Sequence, residues 1–245
     1  MNTYRKTAVS VGVLYIIGTV AGVLSVVVTG PLLGGFSEPE PGYLANVPAS
    51  SNQIIMGSLL VLIMGLALAM VPVVLYPLAK KCNAVLAIGY IVFRGALETF
   101  FYIAQAAGFL AVVALGQEFA KAGMADAPYF MTLGTLVLQS NAAITAISEI
   151  VFPLGAMMLY CLLYQARLVP RWLSGWGFLG AVMYLGAGLL LLFDQISSSS
   201  TTHSLLVMPL AVQEMFMAVW LIVKGFNLSA VASPRPSLSS LAGPV

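Results

Sequence analysis

The apolar runs of this chain each last about twenty residues or more, and that length decides what the chain can fold into. A helix needs about 20 apolar residues to cross a hydrocarbon core about 30 Å thick. Six segments meet the requirement, at about residues 7–28, 53–78, 84–115, 141–164, 172–193 and 205–224. In lipid every backbone polar group must be bonded within the protein, so only helices and closed barrels span. Barrel strands alternate polar and apolar residues over about ten positions, whereas these runs are continuous. The expected fold class is therefore all-α: a polytopic transmembrane helical bundle of six helices. Charged residues are 7% of the chain, against about 25% in a soluble domain. One membrane domain, residues 1–226, accounts for the length, and 227–245, rich in Ser, Pro and Ala, reads as a disordered cytoplasmic tail.

The few cations report topology. Arg5, Lys6, Lys80, Lys81, Arg167, Arg171, Lys224 and Arg235 fall on one side of such a bundle and Lys121 on the other. Basic residues concentrate on the cytoplasmic side, so both termini are expected inside (N-in/C-in), in an inner or plasma membrane. Trp172, Trp176 and Trp220 fall near that same interface, where indoles settle. The first apolar run, Ala8 to Thr29, is longer than a signal-peptide core and reads as a retained helix. Pro72 and Pro77 are expected to kink helix 2, and Glu38 to Ser51 reads as a polar loop. Tyr129 to Gln165 is too long for one span, so a break is expected at Gln139-Ser140-Asn141, after a short interfacial segment.

Four ionisable side chains lie inside the helices: Arg94, Glu98, Glu149 and Glu214. A charge at bilayer depth is costly unless it faces protein, water or a partner. Measured along each helix, all four fall in one slab about 10 Å thick, so they are expected to face one another. Arg94 and Glu98, four apart, share a helix face. One arginine against three glutamates would leave a local charge of −2 if all ionised, so at least one carboxyl should carry a proton near neutral pH. Gln105, Gln139, Asn141 and Gln213 are candidates for supporting hydrogen bonds, and Tyr90, Tyr102 and Tyr184 supply further polar tips.

Several chemistries find no residues. The only histidine, His203, reads as a solvated residue of an outer loop, Asp194 to His203, so neither a metal nor another cofactor is expected. Ser174, in Leu173-Ser-Gly-Trp-Gly177, has no histidine at membrane depth and reads as a helix cap, and Asp126 and Asp194 are loop residues. Cys82 and Cys161 are too few for a disulfide scaffold. A net charge of +2 with no basic stripe gives no reason to expect nucleic acid. Gly18-x-x-x-Gly22 is a small-residue face through which two helices, in one chain or two, can approach closely. Leu97-Glu98-Thr-Phe100 and Gln213-Glu214-Met-Phe216 share a Glu-x-Phe in the third and sixth helices, a faint trace of two inverted halves.

The helix Ala8 to Gly22 with Tyr15 and Gly18, the segment Phe93-Arg94-x-x-x-Glu98, and Leu168-Val-Pro-Arg-Trp-Leu-Ser-Gly-Trp-Gly177 together carry a resemblance. Over roughly residues 5 to 226 the chain resembles a bacterial and archaeal family of small multi-pass membrane proteins grouped as a domain of unknown function. The resemblance implies a membrane fold and supplies no catalytic residues. Three readings follow from the residues themselves. The first is small-molecule binding or proton-linked transport at the Arg94 cluster, in a protein whose other partner is membrane lipid. The second is a structural or partner-binding membrane protein whose charges fix helix packing, with Gly18 and Gly22 facing another helix. The third is an intramembrane enzyme with glutamate as acid or base, for which no nucleophile can be named.

Overall fold

The computed structural model describes residues 3–33, 42–122 and 127–227. Within them there are six helices long and apolar enough to cross a membrane, and no strand. They are α1 (Thr3–Leu33), α2 (Tyr43–Cys82), α3 (Ala84–Lys121), α4 (Ala127–Ala166), α5 (Arg171–Leu192) and α6 (Thr201–Val223). Each helix packs on the next in sequence, and α6 closes on α1, so the chain winds into a ring. The expected all-α bundle of six spans is the fold. The proposed tail lies outside the described residues, apart from Asn227.

Helices α2 and α4 overrun the sequence boundaries furthest. Helix α2 starts at Tyr43, inside the expected polar loop, after Gly42 in the left-handed region at φ 84°. Tyr43, Leu44, Val47 and Ile54 recur on one face and pack with Leu33, Val112 and Val113 in a second apolar cluster. That burial outweighs the polar positions between them, because a helix needs only one apolar face.

Helix α4 runs unbroken for 40 residues through Gln139-Ser140-Asn141, so the expected break and separate interfacial segment are absent. The polar side chains there do not disturb the backbone. The hydroxyls of Thr135, Ser140 and Thr145 donate to the carbonyls of Met131, Leu136 and Asn141, four residues back. Asn141 turns its amide across to the carbonyl of Gln105 on α3, at 3.4 Å.

The small-residue face of α1 is filled within the chain. Gly18 lies against Leu68 and Gly22 against Met64, both of α2. The main core gathers the halves of the helices nearer the termini, with Tyr15, Leu75, Leu78, Tyr160, Leu163 and Met217 almost fully enclosed. At that end Arg5 donates to the carbonyls of Leu221 and Ile222, at 3.3 and 2.6 Å, so the first helix caps the last turn of the sixth.

Candidate functional site

Helix α3 is the irregular one. It is α-helical to Tyr90, widens into a π-helical segment over Ile91–Leu97, and resumes as an α-helix at Glu98. Such wide turns concentrate at functional positions. Arg94 stands in the middle of it. Gly155 of α4 lets α3 come close here, since a Cβ at that position would meet the Phe93 Cβ at 3.1 Å and the Arg94 nitrogen at 3.2 Å.

The Arg94 side chain is 2% exposed and Glu98 0%. Arg94 Nη1 donates to both oxygens of Glu98, at 3.0 and 3.1 Å. The hydroxyl of Tyr102, one turn further on, donates to Glu98 Oε1 at 2.7 Å. Glu98 thus has both oxygens engaged. Glu214, reaching in from α6, has a single 3.4 Å contact with Arg94 Nη2. The Arg94 Nε is buried with no hydrogen-bond partner. Rings close the guanidinium off, with Phe152 4.5 Å away and Tyr15 at 5.6 Å. The Tyr15 hydroxyl in turn meets that of Tyr90 at 3.0 Å.

Glu149 is not part of this cluster. Its carboxylate meets His203 Nε2 at 2.9 and 3.1 Å, and both residues are buried. His203 is therefore not the solvated loop residue expected from the sequence. It lies in the first turn of α6, whose N-cap, Ser200, accepts the His203 backbone N–H. A histidine three positions after a serine fits the N-cap spacing that would have placed His203 on the helix. An intramembrane glutamate lacking a partner was the other signal. The slab argument failed because distance along an axis does not say which neighbour a side chain faces. Gly188 of α5 lies against the Glu149 backbone, where a Cβ would meet the Glu149 carbonyl oxygen at 2.7 Å.

His203 and Glu214 are eleven residues apart on α6, so the two ionic sites are separated by about 16 Å along it. Aromatic rings pack beside the Arg94 cluster. Phe152, against Arg94, packs edge-on to Tyr184 with centroids 4.9 Å apart.

The supporting polar residues divide similarly. Tyr102 belongs to the Arg94 cluster. Gln213, fully buried, instead accepts from Tyr160 at 2.6 Å and donates to the Leu173 carbonyl at 2.9 Å, tying α6 to α4 and α5. Gln105 donates to Thr145, so Gln105 and Asn141 form a separate seam between α3 and α4, and Gln139 is exposed. Among the described residues, no three His, Cys, Asp or Glu side chains lie together as a metal site would need.

The sequence model of a family described as a domain of unknown function, DUF4386, matches residues 10–225, and the chain belongs to that family. No curated protein and no solved structure matches it. The six spanning helices make it a multi-pass integral membrane protein.

Proposed function

We propose that this protein binds a small molecule at the Arg94 cluster and couples that binding, or the molecule's passage, to protonation of Glu214. The observation that carries the reading is the unequal hold of Arg94 on its two carboxylates. Glu98 is gripped through both oxygens, while Glu214 has one long contact beside an unused Nε donor. An anionic or polar group can take up that donor, with Glu214 displaced. One arginine facing two carboxylates would leave a charge of −1 in apolar surroundings, so one carboxyl is expected to hold a proton. Glu214, the less held, is the natural carrier. Glu149, bonded to His203 nearer the start of α6, stands apart from this exchange.

The cations at the starts of α1 and α5 and the ends of α2 and α6 support an orientation with that end in the cytoplasm and both termini inside, in an inner or plasma membrane.

The test is a thermal-shift screen of the purified chain against a metabolite library at acid and neutral pH, since a ligand of the folded state raises Tm. Ligands are expected whose effect depends on pH in the wild type and not in Glu214→Gln. A pH dependence unchanged in that variant refutes the proton role.

A second reading has its own support. The near-complete enclosure of Arg94 and Glu98 suits a clamp that only fixes helix packing. If no ligand shifts Tm while Arg94→Gln melts far lower, the clamp stands alone.

A further inference from the structure

Away from the Arg94 cluster, a cavity of about 500 Å³ opens at the end of the bundle where α4 turns into α5 and α6 ends. Arg167, Arg171 and Lys224 line it, with Pro170, Trp220 and Asn227. We propose that this cavity binds a phosphate group, carried by an anionic lipid headgroup or by a soluble phosphate ester.

The charges are available. All three cations are exposed, and among the described residues none pairs with a carboxylate. Lys121, by contrast, is paired with Glu118 at 2.7 Å.

Helix dipoles do not account for the set. A cation complements the negative end of a helix, which explains Arg167 after α4 and Lys224 after α6. Arg171 opens α5, at the positive end, where no acidic residue stands and the N-cap, Pro170, offers no side-chain bond. Its guanidinium rests over the Tyr164 ring, 5.0 Å from the centroid, a contact that leaves its charge without a counter-ion among the described residues.

Arg167 carries a second cost. It sits in the left-handed region at φ 51°, where glycine is favoured. The equivalent place after α6 holds Gly225, at φ 78°. One of two similar helix ends thus keeps an arginine where glycine fits more easily, and that arginine lines the cavity.

The frame is fixed, since the Asn227 N–H donates to the Leu168 carbonyl at 2.8 Å and ties the segment after α6 to the α4–α5 turn. Trp220 meets Trp172 edge-on at 6.4 Å, at the depth where indoles sit beside headgroups.

The test uses the full chain in neutral detergent with added phosphatidylglycerol or phosphatidylcholine, read by thermal shift and by native mass spectrometry of bound lipid. The variant R167G/R171Q/K224Q keeps the backbone at position 167 relaxed. K80Q/K81Q removes two cations from the same end of the bundle and serves as the charge control. Phosphatidylglycerol is expected to raise Tm in the wild type and the control, with apparent affinity falling about fivefold for each cavity cation removed. Inorganic phosphate and glycerol 3-phosphate, tested in phosphatidylcholine micelles, separate the sources. A rise with either assigns the site to soluble phosphate compounds, and a rise with lipid alone assigns it to a headgroup. Equal loss in the cavity variant and the control overturns the proposal, as does the absence of any effect in the wild type.

Discussion

Replacing Arg94 with glutamine removes the only cation among the described residues that touches the buried carboxylates of α3 and α6. Glu98 loses both contacts from Nη1 and keeps only the Tyr102 hydroxyl, while Glu214 loses its 3.4 Å contact. Removing one partner of a buried pair costs about 3–5 kcal/mol. The loss falls toward the lower figure because the stranded carboxyls can take up protons instead of staying charged. For a chain of this size each kcal/mol moves Tm by about 2–4 °C, so Arg94→Gln should melt about 6–12 °C below the wild type. Neutralising the whole group with Arg94→Gln, Glu98→Gln and Glu214→Gln should recover most of that loss, since replacing an entire buried ionic set by neutral residues is often close to neutral. Thermal unfolding of the purified chain in detergent, followed by tryptophan fluorescence, reads both effects. A single variant melting within about 2 °C of the wild type, or a triple variant melting no higher than the single one, refutes the reasoning.

Glu149→Ala should lower Tm by stranding buried His203, at a cost of about 1–3 kcal/mol, and adding His203→Leu should restore part of it in the same melting assay. Gly188→Val should push α5 off the Glu149 backbone and cost about 1–3 kcal/mol by overpacking, read as a fall in the denaturation midpoint; an unchanged midpoint would mean that the contact has room to relax. Gly18→Leu with Gly22→Leu should lower Tm without changing the mass measured by light scattering in detergent, because Leu68 and Met64 of α2 already fill that face. Loss of a dimer with an unchanged Tm would give the face to a second chain instead.

The bundle and the Arg94–Glu98 pair were legible in the sequence for different reasons. Continuous apolar length admits one fold class, and two charges four residues apart on a lipid-depth helix have little choice but to pair. Depth alone put Glu149 and Glu214 on an equal footing, and only Glu214 meets Arg94. His203 was not legible, because the run Ser197 to Thr202 has the composition of a solvated loop, and one N-cap spacing is a small signal against it. The start of α2 was hidden similarly. Tyr43, Leu44 and Val47 form a helical face, but Pro48 and the polar residues around it read as a turn. Asn141 and Ser140 resembled a break because composition alone does not show that a hydroxyl can bond back to its own helix. Which glutamate meets Arg94 depended on helix rotation, and hydropathy carries too little of that. Gly155 and Gly188 recorded it, but a glycine in a membrane helix does not announce which neighbour it admits.

The most direct test of Glu214 as the exchangeable carboxylate is an infrared difference spectrum of the purified chain between acid and alkaline pH, in the wild type, Glu214→Gln and Glu149→Gln. The proposed mechanism requires a protonated-carboxyl stretch that titrates in the wild type, persists in Glu149→Gln and disappears in Glu214→Gln. A spectrum without a titrating carboxyl band, or one that Glu214→Gln leaves intact, would contradict it and leave Arg94 as a packing clamp.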